Sequence, residues 1–480
     1  MELYRKQHFL HFLAVLSLLG VGRSDPRTLP PLYPQHPFMF LWNAPTELCN
    51  QRFGVHLDLS YFQVVSSTLK SVTNQTISIF YTDRFGLFPY VDEDTGELHD
   101  EGLPQLVDLD VHHEEAERDI LFYIPDNTPG LAVLDFEDWR PQWVRNWGSK
   151  HIYQQISIET MKQKYPELSQ DQVEDRAELA FEHAAKKYFL RSLRIGKHLR
   201  GSRLWGFYLY PDCYNYDYNQ DMEGYSGVCP DLEQQRNERL LWLWKESTAL
   251  FPSIYLELVL RAAPQARRFV RHRIQEAVRV SRLADPSYST PIYAYIRPVF
   301  KNSVNIYLSE DDLVNTIGEA AALGAAGVIS WGDMDVCEDE DSCVDAMQHL
   351  DHVMNPYLVN VSTAAHLCSQ ALCGGAGRCV RKHWDSDHYL HLDPGRYSLD
   401  RPRHGARLMV RGGLSQQDVD EFDQRFTCLC YSTTPCYKPS TINYVTQEVN
   451  RNAGLALKHH HYQLHLLVTT VMLTCTTFTH

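Results

Sequence analysis

The sequence lacks the glycine-rich loops that bind nucleotide phosphates, and it has no excess of positive charge. Neither GxGxxG nor GxxxxGK[ST] follows an apolar run, which argues against a nucleotide-binding doubly wound sheet. With 45 Lys and Arg against 60 Asp and Glu, the net charge of −15 argues against nucleic acid partners and against a broadly basic, membrane-binding surface. A local basic groove can still bind a polyanion, and two Arg-rich stretches, 187–203 and 261–282, are candidates for it.

Long apolar runs are also missing. The two apolar ends, 9–21 and 464–473, are shorter than the about 20 residues that a membrane-spanning helix needs. The composition is that of a globular protein, because 44% of the residues are hydrophobic and 12% are aromatic. A chain of 480 residues can bury a large core and still carry a second, smaller domain.

The amino-terminal apolar segment has the pattern of a secretory signal peptide. Arg5 and Lys6 precede the apolar residues 9–21, and Gly20-Val21-Gly22 supplies the small residues of a cleavage site. The sequence therefore predicts a signal peptide over residues 1–22 and entry into the secretory pathway.

The carboxyl-terminal segment has the pattern of a GPI-attachment signal. The small residues Asn452, Ala453 and Gly454 are followed by a polar spacer and by the apolar tail 464–473. We predict attachment at Asn452, with Ala453 and Gly454 as alternatives, a linker over 441–452, and removal of 453–480. The protein would then sit on the extracellular face of the plasma membrane, with endosomes or lysosomes as a further location. A weak tail anchor is the competing interpretation, and release by a phosphatidylinositol-specific phospholipase C would separate the two.

The cysteines and the glycosylation triplets agree with secretion. Twelve cysteines are present, and Cys475 would leave with the removed tail, so eleven remain and at least one is unpaired or pairs between chains. Asn74 and Asn360 each begin an N-glycosylation triplet, which is used only on the secretory route.

Short apolar runs alternate with amphipathic stretches between residues 37 and 360. The runs predicted as strands are 38–42, 76–81, 131–136, 204–210, 253–256, 291–297 and 327–331. The stretches predicted as helices include 173–193, 237–248, 265–283 and 310–322. Repeated βα units favour a parallel sheet or a closed barrel. We therefore predict an α/β fold, a distorted (β/α) TIM-like barrel over 37–360 that has seven rather than eight strands.

A cysteine-rich segment follows the predicted barrel. Six cysteines lie between residues 368 and 436, interrupted by a long polar insert, and the spacing resembles an EGF-like module over 361–440. For this module we predict the disulfides Cys368–Cys379, Cys373–Cys428 and Cys430–Cys436. Zinc binding is the alternative, and an extracellular location argues against it.

Three carboxylates end the predicted strand 131–136. Because residues two apart on a strand point the same way, Asp135 and Glu137 share one face, and Asp138 turns aside. Two carboxylates this close resist being ionised together, so one of them tends to keep a proton near neutral pH. Such a group is suited to general acid catalysis, and the plain alternative is a solvated acidic loop.

Aromatic residues recur where the other predicted strands end. In a (β/α) barrel these ends gather at one face, which carries the active site. The residues predicted to join Asp135 and Glu137 there are Tyr81, Tyr208, Asp212, Tyr255 and Trp331. Each aromatic residue alone could equally be an ordinary core residue. Together they indicate a site for sugar rings, which stack on aromatic faces.

Several long motifs strongly resemble those of the animal hyaluronidases, glycoside hydrolase family 56. The matching segments are 130–143, 204–215, 242–244, 249–255 and 318–332. The resemblance covers nearly the whole chain, and the lipid-anchor signal makes it look most like the GPI-anchored type-2 branch, although other branches are anchored too.

The resemblance implies endo-hydrolysis of the β-1,4 N-acetylglucosaminide bonds of hyaluronan, with chondroitin as a poorer substrate. It implies Glu137 as proton donor and then base, Asp135 as the group that holds the substrate's acetamide, and Tyr208 and Tyr255 around the reacting sugar. The groove residues that it implies are Tyr81, Arg140, Arg273 and Trp331, and the end of the fourth predicted strand adds Asp212 to the predicted substrate-binding residues. The implied disulfides of the barrel are Cys49–Cys343 and Cys213–Cys229, which leaves Cys337 as the odd thiol. No cofactor or metal is implied, and we expect a monomer.

The two carboxylates also suggest a mechanism. Most retaining glycosidases place two carboxylates on opposite sides of the scissile bond, whereas Asp135 and Glu137 share one side. Attack by the substrate's own acetamide oxygen fits this arrangement, with Asp135 stabilising the positive intermediate and keeping Glu137 protonated. A glycan-binding adhesion protein with vestigial hydrolysis and a chondroitin-selective hydrolase are the alternatives.

Overall fold

Parallel strands covered by helices form the larger part of the computed structural model. The structure describes residues 26–401, 407–434 and 436–439. In chain order the strands are β1 Met39–Asn43, β2 Val64–Ser66, β3 Ile77–Phe80, β4 Tyr90–Val91, β5 Leu98–His99, β6 Gly130–Leu134, β7 Arg203–Phe207, β8 Tyr293–Ile296, β9 Val299–Phe300, β10 Ser303–Tyr307, β11 Gly327–Trp331, β12 Gly377–Arg381, β13 Ser398–Asp400, β14 Met409–Arg411 and β15 Phe426–Cys430.

Two parallel sheets carry the fold. One has the order β2-β1-β11-β8 and the other has the order β3-β6-β7. Isolated bridges join β7 to β8 through the segment between them, and they pair Tyr208 with Phe251, Leu250 with Ile292, and Ser253 with Tyr295. At the other edges, the Ile77 N–H donates to the Ser66 Oγ at 3.2 Å. The predicted α/β class is confirmed, but among the described strands the ladder is not continuous around a barrel.

The predicted strand over 253–256 is the element that the structure changes most. Within it only Ser253 forms a single bridge, and two further single bridges form just before it, at Leu250 and Phe251. Pro252, which stands between these bridges, has no N–H to donate, so a regular ladder cannot pass through it. The other six predicted strands are present within a few residues of their predicted bounds.

Helices connect the strands and cover the sheets. In chain order they are α1 Glu47–Phe53, α2 Leu109–Tyr123, α3 His151–Lys164, α4 Gln170–Leu199, α5 Asp231–Arg239, α6 Leu241–Glu246, α7 Pro264–Val280, α8 Glu310–Leu313, α9 Glu319–Ala322, α10 Glu340–His349, α11 Asn355–Cys373 and α12 Gln416–Arg425. The predicted helix 237–248 is split between α5 and α6. The predicted helix 310–322 comprises α8, the π-helical turn Val314–Gly318 and α9.

The strands of the two parallel sheets are mostly apolar because both of their faces are largely buried. Along β1, Met39 and Leu41 belong to an inner cluster, whereas Phe40 and Trp42 belong to the cluster between the strands and the helices. Strands buried on both faces read as continuous hydrophobic runs, which explains why the alternating pattern is absent from the sequence. Tyr81, Tyr208, Tyr255 and Trp331 pack against the inner cluster.

The cysteine-rich segment is joined to the preceding fold by a continuous helix. The predicted boundary between residues 360 and 361 lies inside α11, which itself carries Cys368 and Cys373. The structure forms Cys368–Cys379, Cys373–Cys428 and Cys430–Cys436, as predicted. The sulfurs of Cys373, Cys428 and Cys436 lie within 4.8 Å of one another, but all three are in disulfides and cannot act as thiolate ligands for zinc.

One predicted disulfide is missing. Cys49 and Cys343 are bonded, with 5.5 Å between their Cα atoms, but Cys213 and Cys229 are both free and buried. The Cys229 thiol lies 3.4 Å from the Cys213 carbonyl oxygen, where the sulfur is placed as a hydrogen-bond donor rather than as a bonding partner. Cys337 is free and buried, as the disulfides implied by the resemblance predicted.

A buried cluster of charges holds the cysteine-rich segment against α7 and α9. Glu319 is fully buried and accepts hydrogen bonds from Arg271 at 2.7 Å, from Arg381 at 2.9 Å and from the Tyr389 hydroxyl at 2.7 Å. Arg271 also pairs with Asp387 at 2.7 Å. We call these residues the Glu319 cluster. It joins helices of the larger fold to β12 and to the polar insert.

A buried histidine makes the fold sensitive to acid. His349 packs against the Tyr307 ring at 4.8 Å, and burial lowers its pKa to about 4. The unfolded chain, with a histidine pKa near 6.5, binds the proton first as the pH falls, so stability present above pH 6.5 is lost towards pH 4. We expect the loss of unfolding free energy between pH 7 and pH 5 to be about 2 kcal/mol smaller in His349→Phe than in the wild type.

Urea unfolding at the two pH values measures this difference, and any packing effect of the substitution cancels between them. His352→Gln is the matched control, because His352 lies three residues further along and its side chain is exposed rather than buried. An unchanged pH dependence in His349→Phe would show that the imidazole is accommodated in its charged form.

Several predictions lie outside the described residues. They are the signal peptide over 1–22, the linker 441–452, attachment at Asn452, Ala453 or Gly454, and removal of 453–480. Within residues 26–401, 407–434 and 436–439, no helix is both long and apolar enough to cross a membrane. Asn74 is exposed, and Asn360 is half-buried in α11 with its Oδ1 accepting a hydrogen bond from the Leu392 N–H at 2.8 Å. Glycosylation at both stays a prediction.

Candidate active site

The parallel register brings the carboxyl ends of the strands to one edge. Phe80 pairs with Leu134 and Leu134 pairs with Phe207, so the next residues, Tyr81, Asp135 and Tyr208, lie side by side. In the other sheet Trp331 ends β11 opposite Asn43. A cleft of about 380 Å³ opens at this edge, and among the residues that line it are Asp135, Glu137, Tyr208, Tyr255, Arg273 and Trp331.

Asp135 and Glu137 have different surroundings although they share one side of the chain. The Asp135 N–H donates to the Phe80 carbonyl at 2.8 Å, which continues the ladder past the end of β6. Its Oδ1 is shielded from solvent and has no hydrogen-bond partner in the described part of the chain. The Glu137 side chain is 53% exposed at the mouth of the cleft. Between them Phe136 points the other way, into an aromatic cluster with Phe88 and Phe207, as the alternation of the strand predicted.

The raised pKa belongs to Asp135. Burial, first, and then the charge of Glu137 raise the pKa of Asp135 well above its ordinary value, and Arg140 opposes them. The expectation that Asp135 keeps Glu137 protonated in the free protein is therefore not what the geometry favours. Burial therefore favours the protonated form of Asp135, which is enclosed by side chains from neighbouring strands, whereas the Glu137 side chain faces solvent.

Aromatic rings form the wall of the cleft beside Asp135. Tyr208 and Tyr255 have ring centroids 6.2 Å apart, and Tyr255 stacks on Trp331 at 6.2 Å with 21° between the planes. The Trp331 indole N–H donates to the Tyr81 hydroxyl at 3.0 Å. Burial, followed by the charge of Asp135, raises the pKa of Tyr81, and burial with the charges of Glu137 and Asp135 raises that of Tyr208. Both hydroxyls therefore remain protonated donors.

Arg273 supports the cleft from beneath. This guanidinium is 3% exposed, pairs with Asp212 at 3.2 Å and donates to the Asn215 Oδ1 and to the Ser253 carbonyl, both at 3.0 Å. Burial alone would raise the pKa of Asp212, but Arg273, Arg145 and Arg140 outweigh burial and lower it. The predicted groove residues Arg273 and Asp212 thus form an ion pair that fixes the segment after β7.

Arg140 is anchored to the proton-donor candidate itself. Its Nη1 donates to the Glu137 carbonyl at 2.6 Å and its Nη2 to the Glu137 Oε2 at 3.3 Å. The backbone of this loop is held by Asn146, whose Oδ1 accepts from the Arg140 N–H at 2.8 Å. Asn146 is fully buried, and the sequence analysis missed it because its role depends on a loop conformation rather than on a motif.

The positive charges of the cleft come from scattered positions. Arg140, Arg273, Arg297 and Lys301 line it, so its cations outnumber its carboxylates although the whole chain is acidic. Only Arg273 comes from the Arg-rich stretches proposed for a basic groove. In the stretch 187–203, Arg191 pairs with Asp110, and Arg194 and Lys197 pair with Glu246, away from the cleft. Arg297 and Tyr295 also line the cleft, and the sequence analysis did not name them. Both lie at the end of the predicted strand 291–297, and this position could have identified them.

Every predicted catalytic residue and four of the five predicted groove residues line this cleft, and Tyr81 reaches it through Trp331. The arrangement provides a half-exposed glutamate side chain at the mouth, an enclosed aspartate side chain beside it, and tyrosine hydroxyls and ring faces around both. Such a set can bind a sugar ring, transfer a proton to a bridging oxygen and stabilise a positive charge that develops next to Asp135.

Comparison with known proteins places the whole described region in one family. The sequence profile of the family described as Hyaluronidase matches residues 27–440. Hyaluronidase-5 of Mus musculus is 46% identical over 417 residues, which cover 87% of this chain and 78% of that protein. Hyaluronidase PH-20 of Homo sapiens is 42% identical over 413 residues, or 86% of this chain and 80% of that protein.

Solved structures show the same similarity. The crystal structure of bee venom hyaluronidase matches with a TM-score of 0.58 and 27% identity, over 67% of this chain and 99% of that chain. The structure of the same venom protein in complex with a hyaluronic acid tetramer matches with a TM-score of 0.59 and 28% identity, over 67% of this chain and 98% of that chain.

Proposed function

This chain belongs to the hyaluronidase family of glycoside hydrolases, and on that premise we propose that it hydrolyses the β-1,4 bonds of hyaluronan by a retaining, substrate-assisted mechanism. The observation that carries the mechanism is the placement of Asp135 and Glu137 on one side of a single strand end, with Glu137 at the mouth and Asp135 enclosed. The venom relative bound to a hyaluronic acid tetramer supports the choice of substrate. A distorted (β/α) barrel of seven strands is the fold that we propose around this site.

The first step needs a nucleophile, and the substrate supplies it. The carbonyl oxygen of the N-acetyl group attacks C1 of its own sugar while the bond from C1 to the bridging oxygen breaks. Glu137 donates its proton to that bridging oxygen, which leaves as the hydroxyl of the next sugar. The acetamide nitrogen becomes positively charged, and Asp135, as a carboxylate, accepts its N–H and offsets the charge.

In the second step Glu137 acts as a base instead of an acid. A water molecule attacks C1 from the side that the leaving sugar has vacated, and the bond between C1 and the acetamide oxygen breaks. The Glu137 carboxylate takes the proton of the water and is thereby restored as an acid. Two inversions at C1 give overall retention. In this proposal Tyr208 and Tyr255, which line the cleft, bind around the reacting ring.

The proton count of the pair sets the pH dependence. The reacting state holds one proton, on Glu137, with Asp135 ionised, whereas in the free protein burial favours that proton on Asp135. Binding of the acetamide N–H to Asp135 supports the transfer of the proton to Glu137. Because the pair keeps its proton to a pH above the ordinary range of a carboxyl group, activity should be highest under acidic conditions and decline as the pH rises through the raised pKa.

Digestion of hyaluronan and of chondroitin in substrate gels at pH 4.5 and pH 7 tests the proposal. We expect clearing of hyaluronan, greater at acidic pH, and weaker clearing of chondroitin. Binding of hyaluronan without clearing at either pH would support an adhesion protein instead. Stronger clearing of chondroitin would identify a chondroitin-selective hydrolase on the same scaffold.

A further inference from the structure

A second, smaller pocket adjoins the cleft on the side of Arg140. It measures about 190 Å³, and Arg140, Leu209, Asp212 and Tyr214 line both spaces, so the two are continuous. Its other walls include Arg145, Trp147, Lys150 and Tyr210. We call it the Trp147 pocket. The Trp147 pocket does not include the catalytic candidates. The main cleft alone is lined by Asp135, Glu137, Tyr208, Tyr255 and Trp331.

The Trp147 pocket is positively charged. Its lining contains the three cations Arg140, Arg145 and Lys150 and the single carboxylate Asp212. Asp212 is already paired with Arg273, and Arg145 is paired with the buried Glu233 behind the wall. Lys150 is the cation with the weakest pairing.

Lys150 retains hydrogen-bonding capacity for a ligand. Its Nζ donates to the Asp138 carbonyl at 3.0 Å, which occupies one of the three N–H groups of an ammonium. Burial and then the charge of Arg140 lower the pKa of Lys150, and the carboxylates of Asp138 and Glu93 oppose them. A negatively charged group in the Trp147 pocket would relieve the repulsion between Lys150 and Arg140.

An unused donor points to the same pocket. Tyr210 is 5% exposed, lines the Trp147 pocket, and its hydroxyl has no hydrogen-bond partner in the described part of the chain. Burial, partly offset by Arg140 and Arg145, raises the pKa of Tyr210 to about 12, so the hydroxyl keeps its proton. A buried hydroxyl without a partner costs free energy unless a ligand or water satisfies it.

The mouth of the Trp147 pocket carries an aromatic edge. Trp147 is 54% exposed, and its ring meets the Tyr214 ring edge-on at 5.4 Å. Exposed aromatic rings beside polar groups are suited to the faces of sugar rings, and a large exposed indole is otherwise unfavourable in water. Cations, an unused hydroxyl and an exposed indole together match an acidic sugar.

We propose that the Trp147 pocket binds the glucuronate ring on the leaving-group side of the scissile bond, with Lys150 and the Tyr210 hydroxyl donating to that sugar and Trp147 packing against it. This inference rests on the proposed function. Arg140 lines both spaces and is hydrogen-bonded to Glu137, which lines the main cleft. A bridging oxygen at Glu137 would then have the N-acetylglucosamine in the cleft and the next ring in the pocket. In hyaluronan a β-1,4 N-acetylglucosaminide bond always leads to a glucuronate, so that ring carries a carboxylate.

The test compares two substrates in three variants. Lys150→Gln is measured on hyaluronan and on hyaluronan whose carboxylates have been reduced to alcohols. We expect kcat/KM on hyaluronan to fall about tenfold, as for the loss of one charge-assisted hydrogen bond, and to change less than about twofold on the reduced polymer. Trp147→Ala should lower kcat/KM on both polymers, because ring packing does not depend on the carboxylate. Lys187→Gln is the matched control, since Lys187 is exposed on α4 and lines neither space.

The outcomes separate this inference from the proposed function. A Lys150→Gln variant that equals the wild type on hyaluronan, or that loses equally on both polymers, would overturn the inference while hydrolysis by the wild type upheld the function. If the wild type hydrolyses neither polymer, the proposed function fails and the pocket is tested by binding. Hyaluronan should then bind Lys150→Gln about tenfold more weakly than Lys187→Gln, and equal affinities would refute the inference.

Discussion

The Glu137→Gln variant should lose about a thousandfold in kcat on hyaluronan, because the amide cannot donate the proton that the bridging oxygen needs. Glutamine keeps the size of the side chain, and its oxygen can still accept from Arg140, which lies 3.3 Å from the Glu137 Oε2 in the wild type. Hyaluronan binding should therefore stay within about threefold of the wild type. Turnover is measured by the release of reducing ends. Binding is measured by titration with hyaluronan that is long enough to fill the whole cleft.

Asp138→Asn is the matched control for this prediction. Asp138 belongs to the same run of carboxylates but lines neither the main cleft nor the Trp147 pocket. Its variant should keep kcat within about threefold. A Glu137→Gln enzyme that still turned over at a tenth of the wild-type rate would remove Glu137 from the role of proton donor.

The second large effect concerns stability rather than catalysis. Glu319→Gln should lower the free energy of unfolding by about 3–5 kcal/mol, because it leaves Arg271 and Arg381 buried without the charge that pairs with both. Urea unfolding with intact disulfides measures the loss. The substitution Glu310→Gln, at an exposed position in the same stretch of helix, should cost less than about 1 kcal/mol.

A small effect of Glu319→Gln would mean that water reaches the two guanidinium groups when the glutamate charge is absent. The catalytic cleft offers a second readout, since Glu319 does not line it. Folded Glu319→Gln protein should therefore keep the kcat of the wild type, in contrast to Glu137→Gln, which should keep the stability.

The strand ends could be predicted because fully buried strands leave a strong mark in the sequence. β11 has the bounds that its apolar run predicted, and β6 leads directly into Asp135. The alternation of a strand was enough to place Asp135 and Glu137 on one side and Phe136 on the other. The segment around Pro252 could not be predicted in the same way, because its apolar side chains suit a strand while its backbone lacks a donor.

The electrostatics of the site could not be predicted from local spacing. Spacing indicates that one of two neighbouring carboxyls keeps a proton, but which one depends on side chains from other strands. Asp135 has the raised pKa because it is enclosed among the side chains at the ends of neighbouring strands, whereas Glu137 remains at the mouth. The free thiols Cys213 and Cys229 illustrate the same limit, since a pairing implied by resemblance is not formed here.

The helix α11 has a consequence for recombining parts of related enzymes. It runs without interruption from Asn355 to Cys373, and Glu319, which precedes it in the chain, accepts hydrogen bonds from Arg381 and Tyr389, which follow it. A hybrid joined between residues 360 and 361 would splice two sequences inside one helix and would part Glu319 from the arginine selected to neutralise it. When segments are exchanged between relatives, α11, β12 and their ion-pair partners should therefore be transferred together. The cysteine-rich segment cannot be exchanged as an independent module.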